Sequence, residues 1–468
     1  AVLEEVVRLV EEGVGERELE KVRRQILSSQ FATFTEMRGQ ASDIGSNWLL
    51  ARNPDHTRDY VEAVQRVGRE EVRAAAEAWL RPDRITTAAL VPKSAGKRSE
   101  RAASAKRSED IRKVELANGL TVLLLADHRV PFVHAAGVFR GGLLAETAQS
   151  SGITRLMSRL LTKDTRKRSA EELALEIESV GGGIGASSGN NSFGVSVHAL
   201  RPDLERVVDL LGESLLEPAF FESVVDREKS YQLSQIKSEA DRPFSVALKA
   251  LRRRLYGGHP YGLEASGTVD SLEELDREAL DTLHRRLVTG GNGVVGVFGD
   301  LDPDRAEAMV RSRFEQTLTA GPREFDRASF ALPDGYAGVV ELTHEKEQAV
   351  FLVGYRTVDL AHPDNPALEM IDEACSDMAS RLFIRIREEL GLAYSVGATR
   401  MSGLEPGFLV FYASTAPEKL DLVQDEMLAE IDLIVKEGLE AEEFERAKAS
   451  WLGREAIHLQ SVRDLAAA

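Results

Sequence analysis

The sequence predicts an α+β protein: repeated two-layer domains in which antiparallel sheets pack against helices. Three observations lead there. Apolar β-type runs and long amphipathic helices are mixed without the strand–helix alternation of a doubly wound sheet. At 468 residues, the chain is long enough for about three domains. A helix–Gly–helix unit also occurs twice, at a constant offset.

Composition sets the outer limits. Hydrophobic residues make up 43% and charged residues 29%, as in a folded, soluble chain. With 59 basic and 77 acidic residues the formal charge is −18. That balance argues against general nucleic-acid or anionic-membrane binding. The single cysteine, Cys375, excludes an internal disulfide and any multi-cysteine metal cluster. No apolar run is long enough to span a membrane.

The elements follow in order. The chain opens on an amphipathic run at Val2, Leu3, Val6, Val7, Leu9 and Val10. Helix-like segments continue to an apolar strand at residues 85–91. Residues 94–112, SAGKRSERAASAKRSEDIR, lack apolar periodicity and read as a solvated linker. Strands are expected at 121–125 and 132–139, helices at 151–162 and 170–180, and a strand at 193–200. Long helices should cover 204–216, 222–239 and 244–256, followed by a buried strand at 293–298. Beyond a boundary near 330–334, strands at 338–342, 350–355 and 407–414 alternate with helices at 367–389 and 420–437.

The repeat aligns residues 4–27 with 429–452. Gly13 meets Gly438, Val10 meets Val435, Glu18 meets Glu443 and Glu20 meets Glu445, an offset of 425. The first copy continues to about Lys93, whereas Ala468 falls at the position of Asp43. The expectation is a chain holding the end of one large unit and most of a second.

Few residues offer chemistry. The glycines at 181–185 lack the Gly-Lys-Ser/Thr ending of a phosphate loop and read as a turn before a strand. Cys375 lies on an apolar helical stripe and reads as a small core residue. The nine histidines contain no i,i+4 pair and no His-x-x-Glu-His or its reverse. A catalytic zinc needs about three ligands of fixed geometry, and no such set is apparent. In SGITRLMSRLLTKDT, residues 151–165, Ile153, Leu156, Met157, Leu160 and Leu161 form an apolar stripe. Arg155 and Arg159, four residues apart, share the opposite face.

That Ser-Gly-Ile…Leu…Thr framework resembles the active-site helix of the insulinase/pitrilysin zinc peptidases. In that family the helix carries His-x-x-Glu-His, two zinc-binding histidines around a general base. The pattern falls here on Arg155, Ser158 and Arg159. The family's third ligand, a glutamate before Ile and six residues ahead of Asp-x-Pro, falls on Gln235. All four zinc-site positions are therefore replaced. Arginine offers a metal no lone pair, and Ser158 is no base without a partner. The expectation is that this chain holds no metal or cofactor, with zinc on a missing half or a partner subunit.

Two further stretches resemble the family: Tyr256-Gly-Gly-His-Pro-Tyr-Gly262, and Gly296-Val-Phe-Gly-Asp300. The fullest match is SRLFIRIREELGLAYSV, residues 380–396. Its Leu382, Ile386 and Leu390 read as a buried stripe, and Gly391 as the helix stop. Arg387 precedes Tyr394 by seven residues, across a helix end and a strand start. From the residues alone, an ion-paired Arg387 and a packed Tyr394 are the favoured reading. The resemblance implies that both contact substrate or the transition state, opposite a zinc ion on the other half.

The resemblance divides the chain into four parts. Residues 1–93 are the C-terminal part of a preceding family half, and 94–112 a linker. Residues 113–325 are a degenerate zinc-peptidase-like domain, and 326–468 a partner domain with the Arg/Tyr signature, cut short. It implies the non-catalytic half of a zinc metalloendopeptidase. Its partners would be peptide or unfolded-protein substrates and a zinc-bearing half in cis or as a separate subunit. The alternative is an inactive relative serving as a structural subunit or peptide-binding module. Compartment is left open by the sequence.

Overall fold

The computed structural model describes residues 8–9, 13–33, 37–80, 111–322, 331–343 and 348–458. The expected strand at 85–91, most of the linker, and the amphipathic run at 2–10 apart from Arg8 and Leu9 lie outside these residues. Near the start come α1 (Glu16–Thr33), α2 (Met37–Ala51), α3 (His56–Arg66) and α4 (Arg69–Trp79).

A six-stranded sheet organises residues 111–322. Its strands are β1 (Arg112–Glu115), β2 (Thr121–Ala126), β3 (Phe132–Arg140), β4 (Gly183–Ser188), β5 (Ser192–Leu200) and β6 (Gly293–Gly299), in the spatial order β1-β2-β6-β3-β5-β4. Pairing is antiparallel except between β2 and β6, which run parallel. β6 arrives late in the chain and inserts between β2 and β3, joining the first strands to the last. Alternate residues point to one face: Val122 and Leu124, Val133 and Ala135, Val195 and Val197, Val295 and Val297 are all buried in one core.

Helices cover that face. They are α5 (Ile153–Leu160), α6 (Ala170–Glu178), α7 (Leu204–Leu216) and α8 (Glu222–Ala240), then, after α9 (Pro243–Tyr256), which lies outside this core, α10 (Val269–Glu274), α11 (Arg277–Leu287) and α12 (Pro303–Phe314). The expected α7 matches to the residue. The apolar stripe of α5 is fully engaged: Leu156, Met157 and Leu160 are at most 2% exposed. Each such side chain contributes about 1.5–3 kcal/mol by leaving water.

A second, three-stranded antiparallel sheet has the order β7-β9-β8, with β7 (Ala349–Arg356), β8 (Ala393–Met401) and β9 (Phe408–Thr415). On one face lie α13 (Asn365–Ser376), a π-helical segment (Phe383–Glu389) and α14 (Leu420–Glu437), with α15 (Ala441–His458) packed along α13. The other face receives α9 from the larger unit. A Cβ at Gly354 of β7 would stand 2.6 Å from a Leu251 methyl, so the glycine makes room for that side chain between helix and sheet.

The Tyr256–Gly262 stretch is the joint between the two units. Tyr256 donates to the Pro406 carbonyl at 2.9 Å, and Tyr261 donates to Asn191. The Glu405 N–H donates to the Tyr261 hydroxyl at 3.3 Å. Burial of His259 drives its imidazole pKa down to about 4, so it packs there as a neutral ring.

Two expected elements are corrected. Residues 338–342 form no strand, and Val339 is 86% exposed. Arg254 instead pins this segment by donating to the Ala337 carbonyl. The helix expected at 367–389 is two pieces. α13 stops at Ser376 because Asp377 turns extended (ψ 169°) and its carboxylate takes the Ala379 N–H at 2.9 Å. Ser380 then accepts the Phe383 N–H at 3.2 Å and starts the next segment. Among the described residues, no helix is long and apolar enough to cross a membrane.

Candidate functional site

The Arg387/Tyr394 stretch is built from two backbone irregularities. Arg387 sits in the π-helical segment, whose wide turns close through Leu390 N–H to the Arg385 carbonyl (3.3 Å) and Leu392 N–H to the Ile386 carbonyl (2.9 Å). π-Turns are rare and concentrate at functional sites. The widening corrects the expected stripe. Leu382 and Ile386 are fully buried, but Leu390 is swung out to 36% exposure and Leu392 takes the buried place. Gly391 ends the segment at φ +60°, as its glycine requires.

Tyr394 lies at a β-bulge. Ala393 pairs with Thr415 and Ser395 with Ser414, leaving Tyr394 as the extra residue of edge strand β8. Bulges re-aim side chains and are over-represented near active sites. The turn between the two irregularities is held from the end of β9. Lys419 donates to the Gly391 carbonyl at 2.9 Å, and the buried Thr415 hydroxyl donates to the Leu392 carbonyl.

Three arginines share this segment, and two are locked. Arg381 forms a two-pronged pair with Glu443, and Arg385 binds Glu426 (2.8 Å) and Glu389 (3.1 Å). Arg387 instead lies over the Phe383 ring, 4.8 Å from its centre, with the Glu388 carboxylate 3.9 Å away. Tyr394 is 69% exposed. Both side chains are presented to solvent and make no hydrogen bond with each other. Charge-assisted donors of this kind suit a carbonyl or oxyanion.

The positions expected to be a degenerate metal site do converge. α5 is seated by Gly152, where a Cβ would lie 2.8 Å from Gly267, and by Gln232, which donates to the Gly152 and Ser266 carbonyls. Arg155 donates to Ser266 at 2.9 Å and to Gln235 at 3.4 Å. Arg159 pairs with Glu228 (Nε–Oε2 3.0 Å) and stacks 4.2 Å over the Tyr231 ring. Lys163 reaches the other Glu228 oxygen at 3.3 Å. Ser158 is buried and bonds back to the Arg155 carbonyl at 3.0 Å. The arginines therefore do not form a solvated face: they tie α5 to α8. Two guanidinium groups, a back-bonded hydroxyl and an amide do not fit a zinc ion, which needs nitrogen, sulfur or carboxylate donors.

Glu228 and Tyr231 were missed in the sequence. They precede Gln235 by seven and four residues, so all three share one face of α8, a spacing that was there to read. Cys375 is fully buried, and burial pushes its thiol pKa up to about 12. It is a core residue.

Comparison with known proteins agrees with this architecture. Residues 121–269 match the insulinase family (peptidase family M16), and residues 274–450 match the peptidase M16 inactive domain. A Mycobacterium leprae protein described as an uncharacterized zinc protease is 30% identical over 363 residues, covering 76% of this chain and 80% of its own. An uncharacterized zinc protease of Bacillus subtilis is 24% identical over 353 residues, covering 75% and 85%. Among solved structures, a peptidase M16 inactive domain from Pseudomonas fluorescens superposes with a TM-score of 0.69 at 23% identity, covering 76% of this chain and 86% of that one. A chain of complex III2 from Candida albicans superposes at 0.59 with 18% identity, covering 73% and 80%. With a family model over each of its two sheet-bearing units and a relative 30% identical over three quarters of its length, this chain belongs to the insulinase family of zinc peptidases, as one of its inactive halves.

Proposed function

We propose that this chain is the non-catalytic half of an insulinase-type zinc metalloendopeptidase. It supplies chamber wall and two substrate contacts, Arg387 and Tyr394, to a zinc site on the other half. That half is joined in cis or bound as a subunit, and the substrate is a peptide or unfolded segment. The observation that carries the reading is the treatment of Arg387. Its two neighbours are spent on carboxylates, while it and Tyr394 are presented on a π-turn and a bulge. Zinc on the other half would activate water and polarise the scissile carbonyl. Arg387 would hold the substrate backbone, and the Tyr394 hydroxyl would donate to the oxygen as charge develops on it.

The test is kinetic, in the assembly with the zinc-bearing half. Arg387→Ala and Tyr394→Phe should each lower kcat/KM for peptide hydrolysis, by about 10²-fold if the donor acts on the transition state. Zinc content should not change. Unchanged kinetics in both variants would refute the assignment.

The superposition on a complex III2 chain supports a second reading, a structural or assembly subunit. In that case both variants keep full activity, while deleting this chain abolishes the assembly.

A further inference from the structure

Arg155 stands apart from the cations around it. Arg159 and Lys163 share Glu228. Arg253 and Lys249 share Glu264, and Lys249 also reaches Glu239 at 3.0 Å. Arg155 has no ion pair among the described residues. Its guanidinium donates to two neutral groups, the Ser266 hydroxyl at 2.9 Å and the Gln235 amide oxygen at 3.4 Å. The Glu239 carboxylate is one hydroxyl away, accepting from Ser266 at 2.8 Å. Five cations thus face three carboxylates, an excess of two positive charges in a chain whose formal charge is −18.

The groups beside Arg155 are donors. Gln235 donates to the Tyr231 hydroxyl at 3.4 Å, and Tyr231 is 51% exposed. The phenol proton has no acceptor among the described residues. Both 3.4 Å bonds are long and weak, whereas a charge-assisted bond to a carboxylate closes to about 2.7–2.9 Å. A carboxylate arriving here gains the Arg155 fork, the Gln235 amide and the Tyr231 hydroxyl in exchange for those two bonds. It also supplies the counter-charge that the network lacks. The frame is held in place: Arg159 stacks 4.2 Å over the Tyr231 ring, and buried Gln232 fastens α8 to the Gly152 and Ser266 carbonyls.

We infer that this refilled face of α5 and α8 is a carboxylate-binding site. Arg155, Gln235 and Tyr231 take a carboxylate of a peptide, either its C-terminus or an acidic side chain. The excess charge and the donor set carry the site; that its ligand belongs to a peptide rests on the proposed function.

The probes are rhodamine-labelled alanine–serine pentapeptides: one with a free C-terminal carboxylate, one with a C-terminal amide, and one amidated with a central glutamate. Each is titrated with the full chain at low salt and followed by fluorescence anisotropy. The free acid should bind about tenfold more tightly than its amide, the worth of one charge-assisted contact. Generic attraction gives the opposite order, since the chain as a whole repels anions. The glutamate peptide names the source. Binding like the acid means that side-chain carboxylates are taken too, binding like the plain amide means the terminus alone, and either supports the site. Gln235→Glu, an isosteric change, should abolish the preference by giving Arg155 an internal carboxylate. Arg155→Met should abolish it as well, and unchanged amide hydrogen exchange in β2, β3 and β6 shows that each variant is folded. Arg387→Ala should keep the preference, so this test and the hydrolysis test can fail separately. Equal binding of acid and amide by the parent chain, or an undiminished preference in both folded variants, would overturn the inference.

Discussion

Glu228 is 5% exposed, yet it faces two cations. Burial works to raise its carboxyl pKa, but the hydrogen bond from Arg159 and the charge of Lys163 outweigh it and hold the group below the ordinary range. A depressed native value means the stabilisation is present above the unfolded pKa, about 4.3, and fades as pH falls through the native one. Arg159→Ala should therefore cost about 1.5–3 kcal/mol at pH 7, the worth of a hydrogen bond to a charged group. The urea midpoints of variant and parent should converge in acid; a gap unchanged at the lowest pH would contradict the ion pair. The two arginines were legible as neighbours on one face of a helix. Their pairing was not, because Glu228 lies 69 residues further on and meets Arg159 only once α5 is seated on α8.

The segment between α13 and β8 shows what helix-scale reading captures. Gly391 was legible as a stop, and its φ of +60° bears this out. The π-widening was not, because an i,i+4 apolar stripe looks the same until the backbone closes one residue late. The break at Asp377 was legible only in hindsight, since short polar side chains compete with the helix in SDMAS. No atom lies within 4 Å of a Cβ built on Gly391, so a substitution there probes backbone alone. Gly391→Ala should lower stability by about 1–2 kcal/mol, the cost of a left-handed conformation for an ordinary residue. Gly391→Asn should cost less, because asparagine tolerates that region. Thermal unfolding of the two variants side by side checks the order. An equal loss would mean that tolerance of the left-handed backbone is not what the glycine supplies.

Across the whole molecule, two sets of carboxylates pull stability in opposite directions with pH. Glu228, Glu239, Glu443 and Asp300 have lowered pKa values, each beside a cation, so they add stability as pH rises out of the acid range. Glu146 opposes them. It sits beneath the start of α5, where burial raises its pKa to about 7 although the Gly152 and Thr154 N–H groups donate to it. Between about pH 4.5 and 7 the unfolded chain releases this proton while the folded chain keeps it, so stability falls across that window. The loss is on the order of 3 kcal/mol at most, and constant above it. His259, held near 4 by burial, works the other way and adds stability as pH rises toward 6.5, so the Glu146 contribution is read from a variant compared with the parent. Glu146→Gln removes the titration and keeps one acceptor for the two N–H groups, so its cost relative to the parent should shrink as pH rises through that window. Between pH 5 and 7.5 the parent's urea midpoint should fall relative to the variant's. A constant gap between the two would mean that the group under the α5 N-terminus is ionised throughout, and that its two donors outweigh its burial.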